Sequence, residues 1–223
     1  MHNIGFDVAH LLAGSMLCLS FVLLYQDRMT AVLNVFALQA IALSLSVAWQ
    51  AYIQEAPHLL ITAVIAVVMK GFVIPAALHR IVRRLGIHRE IEKVIAAGPV
   101  MLIGLGLVAL SILLVLPVGQ SVSLLAREDL AFALAVILLG LLMMITRYNA
   151  VTQIVGFMSL ENGLVLAATG AKGMPLVVEI SVAFSVLIAF IVFGIFVFRI
   201  RERFDTVDVG ALDQFRGERR DQT

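Results

Sequence analysis

Apolar and polar residues are distributed along this chain in blocks, not in the alternating rhythm of a soluble domain. Long, predominantly apolar stretches are separated by short polar segments, several of them rich in arginine. A helix needs about 20 such residues to cross a hydrocarbon core about 30 Å thick, because each residue rises about 1.5 Å. Seven stretches qualify as candidates, at 4–25, 30–52, 58–82, 94–118, 130–146, 150–169 and 175–198, the fifth being short. The pattern predicts an all-α polytopic membrane helix bundle of about seven transmembrane helices. The first stretch contains Asp7, lacks a basic lead and is followed by no clear small-residue cleavage site, so it reads as a span and not as a signal peptide.

Composition agrees with the block pattern. Of 223 residues, 61% are hydrophobic and only 14% charged, far from the balance of an ordinary soluble domain. The formal net charge of +1 implies no nucleic-acid partner. Cys18 stands alone, so this chain by itself builds no disulfide framework, zinc site or iron–sulfur cluster. His2, His10, His58, His79 and His88 lie near the ends of apolar stretches, which disfavours a pair of mid-membrane haem ligands. No nucleophile–base set or phosphate-binding loop is visible, so a free-standing enzyme is disfavoured and no cofactor or metal is expected.

Charge does sort along the chain. With seven spans, one face receives Arg28, Arg80, Arg83, Arg84, Arg89, Lys93, Arg147, Arg199, Arg201, Arg203, Arg216, Arg219 and Arg220, while the other receives Arg127 and Lys172. The positive-inside rule then places the N-terminus outside and the C-terminus in the cytoplasm. Arg28 and Arg80 share their spacing with Arg147 and Arg199, and Pro57 and Pro175 interrupt both segments. One reading is two parallel three-helix repeats plus one linking helix; chance similarity of apolar helices is the other. The corresponding units are 1–83, an N-terminal three-helix membrane unit, 84–128, a linking helix and outer loop, 129–203, a C-terminal three-helix unit, and 204–223, a polar cytoplasmic tail.

Four residues inside the apolar stretches bear candidate chemistry. Glu161 lies about 11 residues into its span, roughly 16 Å deep, and intramembrane ionisable residues are functional by default because their burial is costly. The alternative is a carboxylate kept neutral or hydrogen-bonded to hold the bundle together. Glu179 is shallower, roughly 6 to 8 Å below the opposite surface, where interfacial water or a favourable helix start would also account for it. Lys70 is about 12 residues into the third span, where an amine is an ion-pair partner or a proton carrier. Pro75 denies that span one hydrogen bond and is expected to kink it and free a carbonyl near the lysine. Gln39 offers a neutral hydrogen-bonding group at similar depth, or simple interhelical glue. Gly156, Gly163 and Gly170, and likewise Gly104 and Gly106, read as sites of close backbone approach. The segment 119–129 reads as an outer loop.

Arg147-Tyr148-Asn149, followed by Gly156-Phe157-Met158-Ser159-Leu160-Glu161, a further span with a glutamate, and the tail from Arg199 to Gly217 together resemble the three-helix K subunit of NADH:quinone oxidoreductase, complex I. The whole chain, with its extra helices, is similar to the hydrogenase-4 component E family, the membrane subunit of group 4 nickel–iron hydrogenase and formate hydrogenlyase complexes. The resemblance implies a non-catalytic subunit in a bacterial or archaeal plasma membrane. Its implied partners are antiporter-like membrane subunits and cytoplasmic hydrogenase and iron–sulfur subunits, besides the lipid bilayer. It also implies that Glu161, and less directly Glu179, belong to a chain of charged residues linking redox chemistry to ion movement. Glu179 departs from the family position, about two helical turns nearer the outer surface than the K-subunit carboxylate. Two other readings stand beside this one: a subunit of a multi-subunit cation/proton antiporter, and a structural anchor whose buried charges merely pair.

Overall fold

Residues 2–85, 95–115, 117, 124–170, 187, 188, 191 and 194 are described by the computed structural model of the chain. Their regular structure is helical, apart from single bridging residues at Arg28 and Arg147. In chain order the elements are α1 (His2–Tyr25), α2 (Met29–Ile53), α3 (Pro57–Ala66), a π-helical segment (Val67–Val73), α4 (Ile74–Leu85), α5 (Ala97–Val115), α6 (Leu124–Thr146) and α7 (Ala150–Gly170). Counting α3, the π segment and α4 as one span, six helices among the described residues are long and apolar enough to cross a membrane. The chain is a multi-pass membrane protein. The expected seventh span falls largely outside the described residues, as do Glu179, Lys172 and the tail 204–223.

Local chemistry sets the helix ends. Beyond α2, Glu55 adopts a positive φ of 54°, and Pro57 opens α3 at a first-turn position where its missing N–H costs nothing. At α7 the Asn149 side chain accepts a hydrogen bond from the Val151 N–H, capping the helix. The start of α6 differs from the expected outer loop at 119–129, since the helix begins at Leu124. Glu128 and Asp129 lie in its early turns and face His10 of α1, at 2.5 Å and 3.2 Å, so both carboxylates meet a polar group of a partner helix instead of ending the span.

Neighbouring spans run in alternating directions. One end of the bundle gathers the C-termini of α1, α4 and α6 with the N-termini of α2, α5 and α7. Here Arg147, buried between α6 and α7, donates through Nη2 to the carbonyls of Leu24 and Gln26 at 2.7 and 2.8 Å, which fastens the end of α1. Burial lowers the pKa of this guanidinium. At the opposite end Trp49 donates to the Gly5 carbonyl at 2.8 Å, and Gln54 to that of Thr169 at 2.9 Å. Tyr25 and Tyr148 are exposed at the first end, and Trp49 and Tyr52 stand together at the other, the arrangement of interfacial aromatic belts.

Because lipid tails are as apolar as the helices, close backbone approach and polar contacts carry much of the association. The tightest contact is between α6 and α7. A Cβ on Gly140 would stand 2.6 Å from the Leu160 nitrogen, one on Gly156 2.9 Å from the Met144 side chain, and one on Gly163 2.8 Å from Ile137. Gly156 and Gly163 thus lie where the glycine pattern expects them, and Gly140 is the partner that pattern missed. Gly104 also packs closely, 3.1 Å from Leu139 and Phe21, but Gly106 faces open space, contrary to expectation.

Candidate functional site

The interior consists of two apolar clusters with a polar layer between them. Towards the arginine-bearing end lie Leu23, Leu33, Phe36, Ile74, Leu78 and Met158; towards the other end lie Ala13, Met16, Leu43, Val47, Val165 and Leu166. Between them, at matching levels of α1, α2, the π segment and α7, sit Ser20, Gln39, Lys70, Ser159, Glu161 and Asn162, all nearly inaccessible.

Lys70 owes its placement to the π segment. The Ile74 N–H donates to the Met69 carbonyl, one residue further back than in an α-helix. The carbonyl of Lys70 therefore loses its usual α donor, Ile74, and its π donor would be Pro75, which has no N–H. The expected irregularity near Pro75 takes the form of a widened turn centred on the lysine. Widened turns of this kind are rare and frequent at functional sites.

From this turn the ammonium reaches two groups on α7. Its Nζ is 3.1 Å from Glu161 Oε1 and donates to Asn162 Oδ1 at 3.0 Å. Lys70 and Glu161 are only 2% and 3% exposed, so the charges meet away from solvent. Asn162 Nδ2 then donates to Gln39 Oε1 at 3.4 Å, and Gln39 Nε2 donates to the hydroxyls of Ser20 at 2.8 Å and Ser159 at 3.0 Å. Ser20 passes its own proton donor to the Met16 carbonyl at 2.9 Å. Every bond from the ammonium onward points the same way, so each group polarises the next.

The structure thus brings together Lys70, Glu161 and Gln39, which the sequence singled out separately. It adds Ser20, Ser159 and Asn162. Asn162 directly follows Glu161 in the chain, and a second polar residue after a buried acid was the available signal. The two serines gave none, since hydroxyls in apolar helices commonly bond their own backbone. Glu179 lies outside the described residues.

Chemically, Lys70 and Glu161 form a matched pair able to redistribute a proton, whereas Asn162 and Gln39 are amides that orient and do not titrate. Bringing two opposite charges out of water costs several kcal/mol per ion and seldom improves on an apolar pair of the same size, so stability alone gives little reason for it.

Known proteins align along nearly the whole length of the chain. It is 30% identical over 222 residues to the uncharacterised protein Rv0085 of Mycobacterium tuberculosis, covering 97% of this chain and 100% of that relative. It is 29% identical over 217 residues to hydrogenase-4 component E of Escherichia coli strain K12, covering 96% of this chain and 99% of the relative. Hydrogenase-4 component E of Shigella flexneri matches to the same extent. No protein-family model matches the chain, and no solved structure matches it.

Proposed function

Because the chain belongs to the hydrogenase-4 component E-like family, we propose that it is a non-catalytic membrane subunit of a hydrogenase-type complex, in which Lys70 and Glu161 take part in coupling redox chemistry to proton translocation. The observation that carries this reading is the buried ion pair at 3.1 Å, set in a helix locally widened at the lysine. Intramembrane charges that pair in the interior of a bundle are the usual marks of a proton or ion pathway.

A proton arriving at Glu161 neutralises the carboxylate and removes the counter-ion of Lys70. The ammonium then either releases a proton or seeks a new partner. Asn162 accepts from the ammonium and Gln39 in turn holds Asn162, so the role proposed for Gln39 is positioning within the path and not proton carriage. Glu179 is the carboxylate proposed to continue the path towards the opposite surface. In this reading the arginine-bearing end faces the cytoplasm of a bacterial or archaeal cell, which the distribution of basic residues supports. The proposed partners are antiporter-like membrane subunits and cytoplasmic hydrogenase and iron–sulfur subunits.

The test is Glu161→Gln in the assembled complex, with proton translocation followed in inverted membrane vesicles. The expected result is a complex that assembles and retains redox turnover but moves protons at least about a hundred-fold more slowly, the lower end of the loss for one acid–base group. Undiminished translocation in an assembled complex overturns the proposal. Co-purification in mild detergent separates the family reading from an antiporter: nickel and iron–sulfur proteins accompany a hydrogenase-type subunit, and membrane subunits alone accompany an antiporter.

A further inference from the structure

The span that carries Lys70 inward has an outward face of a different kind. Val64, Val68, Phe72, Ala76, Arg80 and Arg83 are exposed and follow one another at intervals of three or four residues, which keeps them on one side of the helix through the π segment. Phe72 is 63% exposed at the middle of this stripe. The opposite side, with Ile74, Leu78 and Ile81, is buried in the bundle.

The stripe changes character once along its length, from aliphatic and aromatic to basic. From Arg80 back to Val68 is 12 residues, about 18 Å, close to the depth of one leaflet including its glycerol level. Arg80 and Arg83 are neighbours on the helix surface, with Cβ atoms about 5–6 Å apart, a spacing at which two guanidinium groups can grip one phosphate. From Val64 to Phe72 the stripe presents two valines and a phenylalanine, not the glycine, serine or threonine that protein helices favour when they pack together in lipid.

From this register we propose that the face is a seat for an anionic phospholipid. The phosphate lies between Arg80 and Arg83 and an acyl chain runs over Ala76, Phe72 and Val68. The complementary features are on one continuous helical span and in the order in which a phospholipid presents them. A lipid so bound lies against the outer side of the same turn that holds Lys70. The proposal stands independently of the role given to Lys70 and Glu161.

Two measurements on the full chain test it. Phe72 is replaced by the photo-reactive p-benzoylphenylalanine and the protein is irradiated in native membranes. The expected adduct has the mass of a phospholipid, and an adduct to a protein subunit overturns the proposal by showing a protein on this face. Separately, wild-type protein and the double variant Arg80→Gln/Arg83→Gln are released from nanodiscs made with equal parts phosphatidylcholine and phosphatidylglycerol, and the retained lipids are weighed by native mass spectrometry. Wild-type protein should retain phosphatidylglycerol preferentially, by about five-fold for each arginine. The double variant should retain the two lipids equally, and Arg80→Lys/Arg83→Lys should keep a preference. Equal retention by wild-type protein, or an undiminished preference in Arg80→Gln/Arg83→Gln, refutes it.

Discussion

Lys70 and Glu161 can be neutralised one at a time and then together, and the three outcomes differ in a way that only a matched buried pair produces. At 3.1 Å and an effective permittivity of about 20, opposite unit charges attract by about 5 kcal/mol. Almost no solvent reaches either group to screen that attraction, but each has also lost its hydration. Glu161→Met leaves the ammonium its hydrogen bond to Asn162, and Lys70→Met removes the cation beside the Glu161 carboxylate while also taking the donor from Asn162 Oδ1. Each single change should therefore cost about 3–5 kcal/mol, the usual penalty for stranding one buried charge. In Lys70→Met/Glu161→Met both charges are gone, and the remaining cost is an Asn162 acceptor without its donor, about 1–3 kcal/mol. The double variant should thus be more stable than the sum of the singles by at least about 3 kcal/mol, far beyond the ~0.5 kcal/mol within which independent sites add. Equilibrium unfolding of the purified protein in mixed detergent and dodecyl sulfate micelles measures all three. Additive losses would refute the claim that the two charges stabilise each other in the folded bundle.

The contact between α6 and α7 gives a second prediction. Gly140→Ala places a methyl group 2.6 Å from one backbone atom and 2.9 Å from two others, so the helices must separate at a cost of about 1–3 kcal/mol, whereas Gly106→Ala meets nothing within 4 Å and should be neutral. The same unfolding assay decides, and equal effects would contradict the packing described. A third concerns the π segment. Pro75→Ala restores a backbone N–H, which lets the widened turn close and turns Lys70 by up to about 100°, the angle of one helical residue. Disulfide trapping between Lys70→Cys and Asn162→Cys should fall in yield when Pro75→Ala is added; an unchanged yield would show that proline does not hold the turn open.

What the sequence revealed, and what it concealed, follows from the solvent. Apolar stretches of the right length mark spans because lipid demands them, and Lys70 and Glu161 stand out because charge in such stretches is costly. The rotation of each helix is a different matter. A lipid-embedded helix is apolar on all sides, so its periodicity does not say which residues face inward. Ser20, Ser159 and the packing at Gly140 depend on that rotation and were hidden, and Gly104 could not be told from Gly106. The charged start of α6 read as loop because Glu128 and Asp129 look like solvent-facing residues until His10, more than 100 positions earlier, is brought against them. Pro75 announced an irregular turn without specifying that it would widen around Lys70.

The polar layer also sets an order of events. Ser20, Gln39 and Lys70 all belong to the first 85 residues, while Ser159, Glu161 and Asn162 lie on α7, and Lys70 and Asn162 are separated by 92 positions. During synthesis the first three spans are complete while the ammonium still lacks both of its α7 partners. Until α7 enters the membrane, the newborn bundle carries an unmatched charge at its centre, and the arrival of that helix is the step at which the chain becomes electrically whole.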